Sequence, residues 1–276
     1  MLRTVGRRVP ATTILGATTK IMGAATLSVV NTLTHGILAT GPVTRFPNVM
    51  PRYLFIGDVH GCIDELRELL DRAELREDDI AVSLGDLVRK GPDPAGCVRL
   101  IRERGYRAVR GNNEEKLLHM RGNMVRRLFA DAHDKQQLDD DELMDYCASL
   151  PLYLDFPEIG VLAVHAGVLP NAESFSPALV PPRTALELRW IHRKKGRWEQ
   201  GGKIQQSPDE VFWAPMWHGD RTVVYGHTPQ PRPRIDPRAI GIDTGCVYGG
   251  KLTAALFRGP NDWKLLQVKA RRKYAD

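Results

Sequence analysis

Six side chains of types that bind metal ions follow five short apolar stretches of the chain. They are Asp58, His60, Asp86, Asn112, His165 and His227. Oxygen and nitrogen donors without a thiolate suit Mn, Fe, Zn or Mg, and they exclude a cysteine-type structural zinc site. One such motif alone is weak, because a single histidine after an apolar run is more often structural. Five motifs in order, each after a predicted strand, indicate a metal centre.

Alternating strands and helices are expected to position these motifs. Residues 54–56, 80–84 and 106–109 have the composition of strands, and Ile63–Ala73 and residues 95–103 have apolar side chains at helical spacing. This order predicts an α/β fold with parallel strands, whose carboxyl ends meet at one edge of the sheet. Glycines beside the motifs would let each loop bring its backbone close to an ion.

The rest of the chain is predicted to complete the sheets and to cover the site. Further strands are predicted at residues 161–164, 222–225, 239–242, 252–257 and 263–268, the last two antiparallel. Residues 122–150 are predicted to form helices, with a solvent-exposed acidic run at 139–142. A helical stretch is predicted at residues 184–192, and a basic surface loop at 192–209, for which polyanion binding is the alternative.

The charge of the chain is distributed unevenly. The 276 residues carry a formal net charge of +6, yet the first 44 residues hold four cations and no acidic residue. The remaining chain is therefore near +2 and shows no nucleic-acid-binding motif, so we expect no sequence-specific nucleic acid binding. Four cysteines without a CxxC pair indicate reduced thiols and exclude a disulfide framework.

The N-terminal segment has the composition of an organelle transit peptide. Residues 1–45 are rich in Thr and Ala, contain Arg and lack acidic residues, which predicts a mitochondrial targeting segment. A membrane anchor at residues 21–40 is the first alternative, although that stretch is only weakly hydrophobic. The second alternative is a disordered tail that neither targets the protein nor anchors it in a membrane. We expect no stable membrane partner, and a folded domain at residues 46–272.

The motifs together resemble a known family of enzymes. The stretches that carry the resemblance read GDVHGCIDELRELL, GDLVRKGP, GNN and IDTGCVYGGKLTA. They resemble the phosphoprotein-phosphatase-like branch of the calcineurin-like metallophosphoesterases, and within it the ApaH-like phosphatases, which are related to bacterial diadenosine tetraphosphatase. The resemblance extends from Tyr53 to Val268. It implies two mixed β-sheets packed face to face and flanked by helices.

The resemblance also implies a dinuclear metal centre and a mechanism. It assigns Asp58 and His60 to the first divalent ion and Asp86 to both ions. The second ion would then be held by Asn112, His165 and His227. The implied reaction is in-line attack on phosphorus by a metal-bridging hydroxide.

The sequence departs from the protein phosphatases at the positions of their leaving-group acid. Arg89 and Asn113 replace the Asp and His of that dyad, and Lys90 replaces an arginine. A serine alkoxide needs a general acid when it leaves, whereas a phosphate leaves as an anion because its last pKa is about 6. We therefore predict cleavage of a phosphoanhydride bond, in dinucleoside polyphosphates, capped RNA ends or inorganic polyphosphate. Another group or water could also supply the proton.

Four side chains are candidates for binding this phosphate-rich substrate. Lys90, which we also expect to take part in catalysis, and Arg89 add adjacent positive charge. Arg189 could contact phosphate, and Tyr248 could stack on a base or cover the metals. Two other functions stay open: a Ser/Thr phosphoprotein phosphatase, and a catalytically silent module that binds metal and phosphate.

Overall fold

The computed structural model of the protein describes residues 50–276. The predicted targeting segment, residues 1–45, and its membrane-spanning alternative at residues 21–40 lie outside the described residues. Within residues 50–276, no helix is both long enough and apolar enough to cross a bilayer.

Strands and helices alternate at first, and the described chain ends in two long strands. The strands are β1 Tyr53–Ile56, β2 Ile80–Ser83, β3 Arg107–Ala108, β4 Tyr153–Phe156, β5 Val161–Val164, β6 Trp190–Lys194, β7 Arg197–Gln200, β8 Val211–Phe212, β9 Thr222–Tyr225, β10 Arg234–Asp236, β11 Ala239–Gly241, β12 Lys251–Gly259 and β13 Asp262–Lys269. The helices are α1 Ile63–Ala73, α2 Pro94–Glu103, α3 Asn112–Arg121, α4 Met124–Leu128, α5 Ala132–Leu138, α6 Asp141–Ser149 and α7 Pro182–Glu187.

Two five-stranded mixed sheets form the centre of the fold. The first has the order β13-β12-β1-β2-β3, in which β1, β2 and β3 are parallel. The second has the order β10-β11-β9-β5-β4, in which β11, β9 and β5 are parallel. Strands β12 and β13 are antiparallel, as predicted, and Lys251 lies opposite Lys269. The predicted α/β fold with two mixed sheets is confirmed.

Side chains alternate between the two faces of the central strands. In β1, Tyr53 and Phe55 point into an apolar layer between the two sheets, whereas Leu54 and Ile56 pack against the helices outside. In β5, Val161 and Ala163 reach the same inner layer from the second sheet. Because both faces of these strands are covered, their sequences are continuous apolar runs, without the alternation of a half-exposed strand.

Each sheet is covered on its outer face by helices or loops. Leu66 and Leu69 of α1 pack on the first sheet together with residues of α2, α3 and α6. On the second sheet, Ala185 of α7 packs with the fully buried indoles of Trp213 and Trp217. This four-layer arrangement brings the carboxyl ends of β1, β2, β5 and β9 to one edge of the sandwich, where loops can meet.

The predicted helix at residues 184–192 is wrong in its second half. Helix α7 ends at Glu187, and β6 begins at Trp190. The supposed basic loop at 192–209 starts as a β-hairpin of β6 and β7, which turns at Lys195 with a positive φ of 48°. Of the β6 side chains, only that of Ile191 is fully buried, so the stretch lacks the apolar alternation that identifies a strand.

Three further edge strands, β4, β8 and β10, were not predicted. The predicted helices at residues 122–150 are confirmed as α4, α5 and α6. Asp139, Asp141 and Glu142 of the acidic run are exposed, whereas Asp140 caps α6 through the backbone N–H of Leu143 at 2.9 Å. Packing continues beyond residue 272, where the Tyr274 hydroxyl donates a hydrogen bond to Glu65.

Candidate active site

The structure brings together all six predicted metal-binding side chains. Asp58 and His60 follow β1, Asp86 follows β2, and Asn112 is the first residue of α3, just after β3. The two histidines of the second sheet, His165 and His227, follow β5 and β9. The carboxyl ends of the parallel strands of both sheets therefore meet, and the sequence-based expectation of a site at this edge agrees with the geometry.

Three of the six side chains form a first group of donor atoms. Ligand atoms of Asp58, His60 and Asp86 all lie within 4.8 Å of one another, and all three residues are buried. His60 Nε2 is 3.3 Å from Asp86 Oδ2. Two carboxylates and one imidazole at these distances can surround one divalent ion.

The other three side chains form a second group. Asn112 Oδ1 lies 2.9 Å from His165 Nε2 and 2.8 Å from His227 Nδ1. His165 Nε2 is also 3.6 Å from Asp86 Oδ1. Asp86 therefore lies between the two groups, with one carboxylate oxygen beside each, which is the arrangement that two ions sharing a ligand require.

Two of the three histidines are held in the tautomer that can bind a metal through Nε2. His60 Nδ1 lies 3.0 Å from the carbonyl oxygen of Val88, and His165 Nδ1 lies 2.8 Å from that of Leu84. With Nδ1–H donating to a carbonyl, the Nε2 lone pair faces the site. Burial lowers the pKa of His60 to about 4 and also lowers that of His165. At neutral pH both imidazoles are neutral, the form that coordinates cations.

Three buried carboxylates lie together in the same site. Burial, followed by the charges of Asp243 and Asp86, raises the pKa of Asp58 well above its usual value. Burial also raises the pKa of Asp243 to about 6. For Asp86, burial acts in the same direction, but the neighbouring histidines and the hydrogen bond from the Asn113 backbone N–H outweigh it and lower its pKa. Asp58 and Asp243 thus hold their protons more tightly than isolated carboxyls, because ionising buried carboxyls side by side is unfavourable, and a divalent cation would relieve this repulsion. The donor set fits a metal centre.

Asp243 is a residue of the site that sequence reasoning missed. It is 6% exposed and lines the same pocket as Asp58 and Asp86. One of its carboxylate oxygens accepts the backbone N–H of Gly245 at 3.0 Å. The signal was present, because Asp243 follows the apolar strand β11 in the same way that Asp58 follows β1.

Glu114 is a second residue that sequence reasoning missed, and it positions the loop of Asp86. Its carboxylate is fully buried and accepts backbone N–H groups of Asp86 at 2.9 Å, Leu87 at 2.7 Å and Gly111 at 2.8 Å. Burial and the charge of Asp86 raise its pKa to about 7. An acidic residue in the first turn of α3 predicts helix capping, but not this reach to the loop after β2.

Left-handed backbone conformations concentrate at the site. Seven non-glycine residues among 50–276 have a positive φ, and five of them lie in the loops that carry the metal-binding side chains. These five are His60, Asp86, Arg89, Lys90 and His227. Such conformations cost free energy for residues with a Cβ and persist only where the surrounding structure imposes them. The hydrogen bond from His60 N to Asp86 O at 2.7 Å is one such constraint.

Two glycines leave room for the carboxylates. A Cβ on Gly226 would lie 2.0 Å from Asp58 Oδ1, and one on Gly111 would lie 2.3 Å from Asp86 Oδ1. Neither glycine has a positive φ, so both are needed here for close approach and not for conformational freedom.

Three predicted substrate-binding side chains line the pocket above the metal ligands. This pocket has a volume of about 100 Å³ and includes Lys90, Arg189 and Tyr248. Lys90 Nζ donates to the Tyr248 hydroxyl at 2.7 Å and lies 3.1 Å from His60 Nε2. Arg189 Nη2 donates to the carbonyl of His227 at 3.1 Å, and its buried Nε has no partner within residues 50–276. The pocket therefore presents cationic donors toward the metal ligands.

Arg89 lies elsewhere, contrary to the expectation that it faces a polyphosphate. Its Nε and Nη2 donate to Asp134 of α5 at 2.8 Å and 2.6 Å, and its Nη1 donates to Asn113 Oδ1 at 3.0 Å. Asn113 Nδ2 in turn donates to Asp86. Arg89 thus supports a ligand through Asn113. Sequence reasoning missed Asp134, because nothing local connects α5 to the loop after β2.

Comparison with known proteins agrees with this geometry. Residues 51–262 match the model of the calcineurin-like phosphoesterases. The chain belongs to this family. The phosphoesterase is 31% identical to the asymmetrical bis(5'-nucleosyl)-tetraphosphatase PrpE of Halalkalibacterium halodurans, over 73% of this chain and 88% of the relative. It is 30% identical to serine/threonine-protein phosphatase 1 of Salmonella typhimurium, over 72% and 89%.

A solved structure extends the likeness of this calcineurin-like phosphoesterase to three dimensions. It is a crystal structure of a protein provisionally identified as a diadenosine tetraphosphatase, with a TM-score of 0.68 and 31% identity. The match covers 81% of this chain and 96% of that chain. The family predicted from the motifs is confirmed, and with it the expectation of a hydrolase.

Proposed function

We propose that this phosphoesterase is a dinuclear-metal hydrolase that cleaves phosphoanhydride bonds, with dinucleoside polyphosphates as its substrate class. One observation supports a phosphoanhydride, and not a phosphate ester of serine, as the bond that is cleaved. The two positions that hold the leaving-group acid of protein phosphatases are occupied by Arg89 and Asn113, which are hydrogen-bonded to each other at 3.0 Å. The tetraphosphatase relative supports the choice of substrate class.

The six predicted side chains, five of them buried and Asn112 partly exposed, would hold two divalent ions. Asp58, His60 and Asp86 fit the first, and Asp86 with the group at Asn112 fits the second. Mixed oxygen and nitrogen donors suit Mn, Zn, Fe or Mg. Bound there, the ions would lower the pKa of a water molecule and neutralise charge on the phosphoryl oxygens.

Charged side chains of the pocket would bind and orient the scissile phosphoryl group. Lys90 is fixed between Tyr248 and His60, so its ammonium is aimed at the space above the metal ligands. Arg189 lines the same pocket, and its Nε has no hydrogen-bond partner among residues 50–276. Charge-assisted hydrogen bonds from these groups favour a phosphoryl group that gains negative charge in the transition state.

No group at the dyad positions can protonate a leaving group. Asn113 is an amide whose oxygen accepts from Arg89 and whose nitrogen donates to Asp86, so both ends are in use. Arg89 is paired with Asp134, and a guanidinium group does not act as a proton donor in proteins. A nucleotide leaves as a stable anion because its terminal phosphate has a pKa of about 6, whereas a serine alkoxide does not.

A Ser/Thr phosphoprotein phosphatase is the second candidate, favoured by the Salmonella typhimurium relative. The test uses the purified domain with Mn, Zn or Mg and compares diadenosine tetraphosphate, inorganic polyphosphate, capped RNA and a phosphoserine peptide. We expect the highest kcat/KM on diadenosine tetraphosphate. Preference for the phosphopeptide would contradict the proposal. Bound metal without turnover of any substrate would instead indicate a silent binding module.

Rebuilding the dyad tests whether residues 89 and 113 select the leaving group. The variant Arg89→Asp, Asn113→His also needs Asp134→Asn, because Asp134 would otherwise repel a carboxylate at position 89. We expect the triple variant to gain phosphoserine activity relative to anhydride activity. Asp134→Asn alone is the matched control and should not gain it. An unchanged ratio in the triple variant would show that these positions do not select the leaving group.

Mitochondrial import remains a proposal that rests on composition alone. The first 44 residues hold four cations and no acidic residue, as transit peptides do. Residues 1–45 fused to a fluorescent protein should direct it to mitochondria. Retention of the fusion in another membrane would favour the anchor at residues 21–40.

A further inference from the structure

A second cavity opens beside the metal centre and shares a residue with it. Its volume is about 450 Å³, and Asn112 lines both this cavity and the pocket of about 100 Å³ at the metal ligands. Its walls come mainly from α3 and α7, so we call it the α3–α7 groove. Sites for small-molecule ligands usually measure roughly 300–1,000 Å³. The metal-site pocket has room for a phosphoryl group but not for a nucleotide, whereas the groove has that room.

Helix α3 leads from the metal centre into the groove. Asn112, Lys116 and His119 are four and seven residues apart, so they lie on one face of the helix. At 1.5 Å per residue, this face extends roughly 10 Å from the metal ligand. A chain of phosphates that starts at the metals can therefore continue along α3 without leaving the protein surface.

Three of the four Lys and Arg side chains that line the groove have no carboxylate partner among residues 50–276. Within residues 50–276, no carboxylate oxygen lies within 4.0 Å of the charged nitrogens of Lys116, Arg126 or Arg183. Burial lowers the pKa of Lys116, and the nearby charge of Arg89 lowers it further. Lys203 is the exception, since it lies 3.6 Å from Glu187.

The acidic residue of the α3 face is already neutralised. Glu115 lines the groove, but its carboxylate lies 3.0 Å from the guanidinium of Arg110. The charges left free in the groove are therefore cationic, and they suit an anion with several negative charges.

An apolar surface lies beside these cations. Leu186 of α7 lines the groove, is only 6% exposed, and belongs to none of the three apolar core clusters. Pro182 adds to the same wall. Cations next to a sheltered apolar wall are the combination that a nucleotide requires, because its phosphates are charged and its base is largely apolar on both faces.

We propose that the α3–α7 groove binds the distal nucleotide of a dinucleoside polyphosphate, meaning the phosphates and nucleoside that lie beyond the scissile phosphate. Lys116, Arg126 and Arg183 contact the distal phosphates, and the base lies against Leu186. This assignment rests on the proposed phosphoanhydride hydrolase function. On this assignment, an enzyme with so small a metal pocket would prefer a long substrate to a compact one.

The test removes two cations of the groove that are far apart in the sequence and are not metal-binding residues. The variant Arg126→Gln, Arg183→Gln should raise KM for diadenosine tetraphosphate by about ten- to a hundredfold, since each charge-assisted hydrogen bond lost is worth roughly tenfold. The kcat/KM for p-nitrophenyl phosphate, which ends at the scissile group, should stay within about twofold. The matched control is Arg99→Gln, Arg104→Gln, which removes two exposed cations of the α2 region that do not line the groove.

A second measurement varies the substrate. Wild-type KM should fall from diadenosine diphosphate to tetraphosphate, and the double variant should lose this dependence on length. An unchanged KM in the variant, or an equal loss on p-nitrophenyl phosphate, would overturn the groove assignment and leave the proposed function standing. A wild-type enzyme that cleaves no phosphoanhydride would overturn the proposed function itself, and the groove assignment with it.

Discussion

The metal centre and the α3–α7 groove meet at Asn112 but are built in opposite ways. In the metal centre, the donor atoms are buried and held by hydrogen bonds to the backbone, as for His60 on Val88. In the groove, Lys116 and Arg126 are long, flexible side chains without a carboxylate partner among residues 50–276. The metal centre has donor atoms in fixed positions, whereas the groove has flexible cationic side chains that no carboxylate of residues 50–276 pairs with.

This difference matches two tasks. Chemistry at phosphorus needs donors that stay in place as charge develops, because reorganising them during the reaction would raise the barrier. Binding the rest of a polyphosphate needs positive potential more than fixed positions, and long cationic side chains provide it. Substitutions in the metal centre should therefore affect all substrates alike, whereas changes in the groove should affect only long ones.

The largest effect should come from Asp86→Asn. This change keeps the side-chain shape but removes the charge shared by both donor groups, so kcat/KM should fall about 10³-fold or more on every substrate. Metal content measured by mass spectrometry should fall as well. Asp78→Asn, at an exposed position, is the control. If Asp86→Asn kept its metal content and activity, Asp86 would not be a ligand shared by two ions.

An intermediate effect is expected for Glu114→Gln. One carboxylate oxygen becomes an NH₂ group that cannot accept the backbone N–H groups of Asp86 and Gly111. Metal affinity, measured by competition with a chelator, should fall about ten- to a hundredfold, as for other groups that orient ligands. Glu103→Gln removes the same charge at an exposed site of α2 and should change nothing. Unaltered metal affinity in Glu114→Gln would refute its positioning role.

The smallest effect should come from salt, and it separates the two regions without any mutation. At about 1 M ionic strength the Debye length is about 3 Å, so the exposed cations of the groove are screened. KM for diadenosine tetraphosphate should rise roughly three- to tenfold, while kcat on p-nitrophenyl phosphate and the metal content stay constant. Equal salt sensitivity for both substrates would mean that the groove does not contribute charge to binding.

The sequence alone identified the parts of the molecule whose signals are local. Asp58, Asp86, His165 and His227 each follow an apolar strand, and parallel strands must end at a common edge. The apolar spacing of Ile63–Ala73 predicted α1 with its observed bounds. Absence of the acid dyad was visible from the identities of residues 89 and 113.

Contacts between distant segments were decided only by the tertiary structure. Asp134 lies 45 positions from Arg89 in the sequence and accepts a hydrogen bond from its guanidinium. Arg89 was predicted to bind phosphate, but because of this contact it instead holds Asn113, which donates to Asp86. The left-handed backbone of His60 and Asp86 is imposed by their surroundings and not by residue type. The groove likewise exists only because α7 lies opposite α3, about seventy positions away in the chain. Residue types and spacing determine which side chains can do chemistry, but packing determines which charges are left free to bind.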